Sequence, residues 1–451
     1  MTVKLRKFPY PFRGAIAICN DCDLMTRESF QKIHAFLNTA ESTEFGDGLG
    51  LDIADSVFWY NNNPYEPDQL AYAGLDGKPT RDAGFIRECI EKGRIDCLHA
   101  YGDFSHRGGF ARKHAETAAE EMEKRGISFR VWLNHGDRHN FQNIAAEYLP
   151  SLGDTPEVVM TDGKTYPVWE YHTDITTALG VRYFWNHTLT EILGQDRPLS
   201  RTAYYRELAA GSGSGGGLFA ALVDKAGSLF PRGSFMSRAA KLTVENSGVP
   251  VFGGNDLLIP HVLGDGRPVC RFRRWGHWRT DTSEALGEML SGENLDTLIR
   301  REGYAITYAH FGKRREPAGP LLPDSLVESL KRLKGESENR IWVARTSRLL
   351  EYNRAWRAVG GSSVFRAGGK TGDAIHLVYD AGGDPLAGTS PQDETKAAAG
   401  LPPVEELAGL TWYFDGDYPP RVIHGDRDAD FRENPPDHEG MRSITLTGNY
   451  L

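Results

Sequence analysis

The chain has 451 residues, 40% hydrophobic and 25% charged, so it can bury a sizeable core and does not have the composition of a disordered protein. Its formal net charge of −9 gives no general attraction to nucleic-acid phosphates or anionic lipid, so we expect no nucleic-acid partner. Five cysteines fit a reducing compartment better than a disulfide framework. The N-terminal segment lacks the apolar core of a secretion signal, and no apolar stretch approaches about 18 residues. We therefore expect a cytoplasmic protein without an integral membrane span.

Short apolar runs alternate with amphipathic segments through most of the first 350 residues. The predicted strands cover residues 14–20, 51–58, 95–99, 128–134, 181–185, 304–309 and 340–344. A helix is predicted over residues 110–125, ending at Gly126, and two more begin after Ser291 and Pro323. Each of the last two helices leads directly into a predicted strand. This alternation is typical of an α/β protein and favours a β/α barrel.

Two regions depart from the alternation. Residues 188–279 contain the glycine-rich run 211–217, which lacks the Lys-Ser/Thr ending of a phosphate-binding loop, and we interpret this region as an insertion covering one mouth of the barrel. Residues 356–451 are rich in Gly, Pro and Asp, with strand-like segments at 374–379, 410–414 and 443–446. The predicted organisation is therefore a barrel over residues 1–355 and a small β-rich C-terminal region.

Carboxylates follow the first predicted strand. Because side chains two apart in a strand point to the same side, Asp21 and Asp23 would present two carboxylates together. Such a pair is costly to bury unless a cation or a shared proton compensates it, and a metal ion is the simplest compensation. A solvated turn after the strand is the alternative for this motif taken alone.

Histidines follow three further predicted strands. His99 ends one of them and is followed by Asp103 and His106, a usual set of ligand types for zinc or a related divalent ion. His135 follows a second strand, and His310 follows a third. Active sites of β/α barrels assemble at the carboxyl ends of the strands, so these residues predict one site.

The order of these elements resembles the polysaccharide deacetylase superfamily, which comprises metal-dependent carbohydrate esterases built on a distorted seven-stranded β/α barrel. The resemblance covers roughly residues 10–350. It implies that Asp21 is the catalytic base and that a divalent metal, Zn²⁺ by preference, is held by Asp23, His99 and His106. In that family the second motif separates its two histidines by four residues, a spacing that Asp103 occupies here. Asp103 is therefore the alternate ligand.

The same resemblance implies roles for residues of the later strands. Arg130 would orient the base, Trp185 would line the substrate groove and His310 would be the catalytic acid. His135 is a further ligand or a substrate contact, and Asn134 beside it is a candidate substrate contact.

The predicted function is the metal-dependent removal of an N-acyl group, by preference acetyl, from a sugar or sugar-containing precursor, with surface-polysaccharide synthesis as the working context. One alternative keeps the hydrolytic site and replaces the sugar by a small non-carbohydrate amide. A second is a non-catalytic carbohydrate-binding protein on a decayed barrel.

Overall fold

The computed structural model describes residues 2–104, 109–136, 142–144, 157–159, 165–167, 170–212, 254–263, 266–277, 281–316, 318–360, 364–366, 373–378, 384, 386 and 402–450. Its helices are α1 Arg27–Asn38, α2 Ala83–Glu91, α3 Arg112–Arg125, α4 Thr173–Ala178, α5 Arg201–Ser212, α6 Ser283–Met289, α7 Gly292–Arg300, α8 Asp324–Glu336 and α9 Thr346–Gly360, with a 3₁₀ turn at Val404–Leu407. None of the helices in these ranges is long and apolar enough to cross a bilayer.

The strands are short and numerous. In chain order they are β1 Val3–Leu5, β2 Gly14–Asn20, β3 Ser42–Thr43, β4 Gly46–Asp47, β5 Asp55–Asn61, β6 Ala71–Ala73, β7 Ile95–His99, β8 Gly102–Asp103, β9 Val131–Leu133, β10 Glu157–Val159, β11 Thr165–Pro167, β12 Tyr183–Trp185, β13 Leu189–Thr190, β14 Leu258–Val262, β15 Pro268–Phe272, β16 Arg274–Trp275, β17 Tyr304–Ala309, β18 Ile341–Val343, β19 Val364–Arg366, β20 Ala374–Leu377, β21 Thr411–Phe414, β22 Arg421–His424, β23 Arg427–Asn434 and β24 Ser443–Tyr450.

Most of these strands form one large sheet in the order β13-β16-β17-β2-β5-β7-β9-β12-β15-β14, with β6 and β8 paired to β5 and β18 paired to β2. Neighbours are parallel except β14 and β15, which are antiparallel. All seven residues of β2 are buried, as expected for a strand covered on both faces. The carboxyl ends of β2, β7, β9 and β17 therefore meet at one edge.

The predicted seven-stranded β/α barrel is wrong. Ten strands follow one another in a curled, open path, and its end strands β13 and β14 do not pair with each other in the described structure. The physical reason lies in residues 188–279, which were expected to be an insertion over the barrel mouth. They supply four strands of the sheet itself, β13 to β16, and β14 adds the antiparallel edge. The apolar runs were visible in the sequence, but their pairing was not.

A second sheet of seven strands has the order β1-β21-β24-β23-β22-β20-β19. Its pairs are antiparallel except β20 and β22. The strand-like segments predicted near residues 374, 411 and 443 belong to it, and the N-terminal strand β1 joins it by pairing with β21.

Alternation along β2 decides what each of its faces contacts. Ile16 and Ile18 pack in a core shared with α1 and α6 to α8. Ala15, Ala17 and Cys19 pack in the other core, which α9 and the second sheet complete. Because the strand period is two, Asp21 and Asp23 continue the row that begins with these small residues.

Candidate metal centre

The strand ends bring together side chains that are far apart in the sequence. Parallel pairing of β17 with β2 sets Ala309 opposite Asn20, so His310 lies beside Asp21. Pairing of β7 with β9 sets His99 opposite Leu133, and His135 follows two residues later on the same side. The resulting cluster is buried or half-buried and lies at one edge of the large sheet.

One carboxylate stands at the centre of this cluster. Asp23 Oδ1 lies 2.8 Å from His135 Nε2, and Asp23 Oδ2 lies 3.9 Å from His99 Nδ1. One ligand atom from each of these three residues can be chosen so that all lie within 4.8 Å of one another. Burial alone would raise the pKa of Asp23, but His135 and His99 hold it well below its ordinary value. The carboxylate is thus available as an anionic ligand.

His99 is held rigidly beneath the cluster. Its ring stacks on Phe58 with a centroid distance of 4.7 Å and an interplanar angle of 11°, and its Nδ1 lies 3.7 Å from Cys22 Sγ. Burial lowers the pKa of His99 to about 4. At neutral pH the imidazole is therefore uncharged, which is the form that binds metals.

The second histidine has a carboxylate behind it. His135 Nδ1 lies 3.7 Å from Asp103 Oδ1 on the side opposite Asp23. Asp103 Oδ2 in turn accepts hydrogen bonds from Asn63 and Gln69, at 2.8 and 3.2 Å. A carboxylate behind a metal-binding imidazole fixes the orientation of the ring, so the structure places Asp103 as a support for His135.

Asp21 has a cationic partner. Arg274 Nη1 donates to both of its oxygens, at 2.8 and 3.0 Å, and both residues are almost fully buried. The same guanidinium donates to the carbonyls of Cys19 and Thr307 and lies 4.6 Å from the ring centroids of Trp185 and Tyr308. Asp21 is therefore compensated and oriented without a metal ion.

His310 faces both carboxylates of the first strand. Its Nε2 lies 3.1 Å from Asp23 Oδ2 and 3.7 Å from Asp21 Oδ2. On its other side Nδ1 donates to the carbonyl of Asp281 at 3.1 Å, and the Asp281 carboxylate accepts from Lys313 at 2.6 Å. Burial alone would lower the pKa of His310, but the nearby carboxylates, Asp23 first, raise it above its ordinary value.

The cluster opens into a cavity of about 650 Å³. Trp185, Tyr308 and His187 contribute to its wall. The Trp185 indole is 3% exposed and donates to the carbonyl of Thr188, so little of its ring is free to contact a ligand. The Tyr308 hydroxyl has no hydrogen-bond partner among the residues that the structure describes, and burial raises its pKa, so it remains a proton donor.

Three of the five non-glycine residues with positive φ in the described part of the chain lie at this edge of the sheet. The residues directly after Asp23 and His99 are Leu24 and Ala100, whose φ angles are 63° and 47°. His187, in the cavity wall, has φ 67°. Non-glycine residues adopt such angles at a cost of roughly 1–2 kcal/mol, and they cluster at functional sites. A close approach adds to this, since a methyl group on Gly312 would overlap the carbonyl oxygen of Asp23.

Two residues expected to act at the site, Arg130 and Asn134, have other partners. Arg130 is exposed and its guanidinium donates to the carbonyl of Gly180 at 3.5 Å, so Arg274 occupies the place beside Asp21 that the resemblance implied for Arg130. Asn134 lines the cavity, but its side-chain oxygen accepts from the Trp132 indole and from the backbone of Ile144. His106 lies outside the described residues.

Sequence reasoning missed Arg274, Asp281 and Tyr308. Arg274 opens β16 and follows Arg271 and Arg273 closely in the sequence, so charge alone did not distinguish it as the buried arginine. Tyr308 precedes His310 by two residues and so shares its side of the strand. Nothing in the local pattern around Asp281 distinguishes it from an ordinary acid before a helix.

One carboxylate and two imidazoles, backed by a supporting carboxylate, are a donor set that fits a divalent ion such as Zn²⁺. The class defined by fold and site is thus a mixed α/β protein with a His₂Asp cluster at the carboxyl edge of its main sheet. Comparison of the chain with protein-family models, curated proteins and solved structures gives no match in any of the three.

Proposed function

We propose that the protein is a metal-dependent hydrolase that removes an N-acyl group, by preference acetyl, from a sugar or sugar-containing molecule. The observation that carries the proposal is the division of the cluster into two parts. Two sets of side chains could each hold an ion: Asp23 with His99 and His135, and Asp23 with Asp21 and His310. We assign the ion to the first set, because Asp21 is already paired with Arg274 and His310 with Asp281. A purely structural metal site needs no such second pair.

This ligand set contains Asp23 and His99, as expected from the sequence, and His135, which the sequence offered as a further ligand or a substrate contact. Asp103 acts through His135, and His106 lies outside the described residues. A divalent ion held by Asp23, His99 and His135 supplies Lewis acidity toward an amide carbonyl and makes water a better nucleophile at neutral pH.

The remaining steps belong to side chains of the chain. Asp21 accepts the proton of the attacking water, because Arg274 fixes the carboxylate at the edge of the cavity. His310 donates a proton to the departing amine, with its ring oriented by Asp281. The Tyr308 hydroxyl, which has no hydrogen-bond partner within the described residues, donates a hydrogen bond to the oxyanion of the tetrahedral intermediate. The products are a free amine and a carboxylate.

The size of the cavity and the state of the cysteines bear on the substrate and the compartment. The cavity volume of about 650 Å³ lies within the range of roughly 300–1,000 Å³ typical of small-molecule sites, so a soluble precursor fits better than an assembled polymer. All five cysteines are free and buried, consistent with a reducing compartment such as the cytoplasm.

The test is a hydrolysis assay on zinc-reconstituted protein. N-acetyl sugars, nucleotide-linked N-acetyl sugars and simple N-acyl amides are compared, and release of amine and acetate is measured. Asp21→Asn should retain the metal and lose turnover by roughly 10² or more. Hydrolysis confined to simple amides would favour the non-carbohydrate alternative. If the protein binds one equivalent of zinc but hydrolyses none of these amides, the proposed reaction is rejected and only metal binding is supported.

A further inference from the structure

A second cavity, of about 530 Å³, lies at the opposite end of β2 from the candidate metal centre. It is lined by the loop that precedes β2, by β18 and α9, and by β23 and β24 of the second sheet. At about 3.3 Å per residue, the seven residues of β2 separate the two cavities by roughly 20 Å. A ligand in one cavity therefore does not reach the other.

The walls of this cavity are aromatic. Tyr10 and Phe12 are half-buried, and Trp342 and Tyr352 lie deeper, with exposed fractions of 8% and 5%. The rings of Trp342 and Tyr352 meet edge to face with their centroids 5.0 Å apart. The Tyr352 hydroxyl is buried without a hydrogen-bond partner in the described part of the chain. The aromatic rings of Tyr352 and its neighbours, and not this hydroxyl, therefore form the surface that a ligand would meet.

The rim carries charges of both signs. Glu405 and Arg432 are exposed, and neither forms an ion pair within the described residues. Arg348 is paired with Asp52 at 2.9 Å, and Glu406 with Arg182 at 3.7 Å. The carboxylate of Glu405 can accept hydrogen bonds from a ligand, and the guanidinium of Arg432 can donate them to the same ligand. Together the two groups favour neither a positively nor a negatively charged ligand.

We propose that this second cavity binds a neutral sugar unit. An anionic ligand is opposed by Glu351, Glu405 and Glu406, and a cationic one by Arg348 and Arg432. A wholly apolar ligand would leave the rim charges unpaired. A sugar ring presents an apolar face to aromatic side chains and hydroxyl groups that both donate and accept hydrogen bonds, so it meets all three conditions. The proposal stands independently of the reaction at the metal centre.

The test is isothermal titration calorimetry of the full chain with two neutral disaccharides, maltose and N,N′-diacetylchitobiose. Saturable binding of either one is expected. The double variant Glu405→Ala/Arg432→Ala should weaken it by about a hundredfold, since hydrogen bonds to charged groups contribute about one decade each. Both replaced side chains are exposed, so the fold should be retained, and a circular dichroism melt checks this.

A matched control is available on the same sheet. Arg421→Ala/Asp428→Ala removes one arginine and one acid from an exposed pair that does not line the cavity. It should leave sugar affinity unchanged. Absence of saturable binding of both disaccharides overturns the proposal, as does binding that survives the Glu405/Arg432 double variant at full strength. Neither result bears on hydrolysis at the metal centre, which the amide assay measures separately.

Discussion

The guanidinium of Arg274 donates to both carboxylate oxygens of Asp21 although 253 positions separate the two residues. The sheet order explains the contact: β16 pairs with β17, and β17 pairs with β2. Arg274 is fully buried and Asp21 nearly so, so each compensates the other in a region from which water is excluded. Replacement of one member of this pair therefore tests both the fold and the role of Asp21.

Replacement of Arg274 by Ala should lower the free energy of unfolding by about 3–5 kcal/mol, because it leaves a buried carboxylate without its partner. The matched control is Arg130→Ala, which removes an exposed guanidinium and should change stability by no more than about 0.5 kcal/mol. Urea denaturation of both variants measures the difference. Equal effects would contradict the assignment of Arg274 as the partner of Asp21.

His135 should be required for metal binding. After reconstitution, His135→Ala is expected to hold well below one equivalent of zinc, since only Asp23 and His99 of the ligand set remain. The control is His187→Asn, which changes another histidine of the same cavity wall and keeps a residue type that tolerates positive φ. Elemental analysis of both proteins distinguishes them. Full zinc content in His135→Ala would reject the ligand set.

The sequence predicted the site residues that local patterns mark and missed those that depend on pairing between distant strands. Asp21, Asp23, His99 and His310 were found because each follows an apolar strand, and strand ends are local features of the sequence. The choice of Arg130 was not supported, because which arginine faces Asp21 depends on strand pairing across the sheet. The partner of an ion pair cannot be read from local spacing when its strand lies in a region taken for an insertion.

The fold shows the same limit. Segments 14–20, 95–99 and 304–309 were predicted with the bounds that the structure has. Closure into a barrel depends on whether the outermost strands meet, and here β14 turns antiparallel and leaves the sheet open. Hydrophobic periodicity reports burial of each strand, but it carries no information on which strands are neighbours.

Tyr308→Phe should lower the catalytic rate constant by about 10²-fold and leave the zinc content unchanged, because it removes a hydrogen-bond donor to the oxyanion and no ligand. The change keeps the ring against Arg274 and Trp185, so stability should move little. Tyr183→Phe is the control, because it also removes a buried tyrosine hydroxyl. The Tyr183 hydroxyl donates to Glu351, and Tyr183 does not line the cavity of the metal centre. Steady-state kinetics with a wild-type rate in Tyr308→Phe would exclude the hydroxyl from the reaction.

The strain at Leu24 should be measurable. Leu24→Gly removes the roughly 1–2 kcal/mol cost of positive φ, partly offset by the greater entropy of glycine in the unfolded chain, so stability should rise by up to about 1 kcal/mol. Leu24 is 40% exposed, so little burial is lost. Leu24→Val, whose branched side chain resists this conformation, should lower both stability and zinc affinity. Thermal melts with and without zinc measure both effects. Equal melting temperatures for Leu24→Val and Leu24→Gly would contradict the presence of strain at this position.

Acid should destabilise the protein through His172. This residue is buried away from the cluster, with Nδ1 2.8 Å from Thr176 Oγ1 and Nε2 2.6 Å from the carbonyl of Gln142. Burial lowers its pKa to about 4, below the value near 6.5 of an unfolded histidine. Between these values the unfolded chain binds more protons than the folded one, so stability falls as the pH decreases from about 6.5 to 4.

The expected loss from His172 alone is up to about 3 kcal/mol over that interval. His172→Gln removes the titrating group, so its stability should depend less steeply on pH, and the gap between wild type and variant should narrow as the solution becomes more acidic. Urea unfolding of both proteins at several pH values between 7 and 4 measures the two slopes. Parallel slopes would mean that His172 is protonated equally in the folded and unfolded chains, contrary to its burial among Tyr101, Phe110 and Trp132.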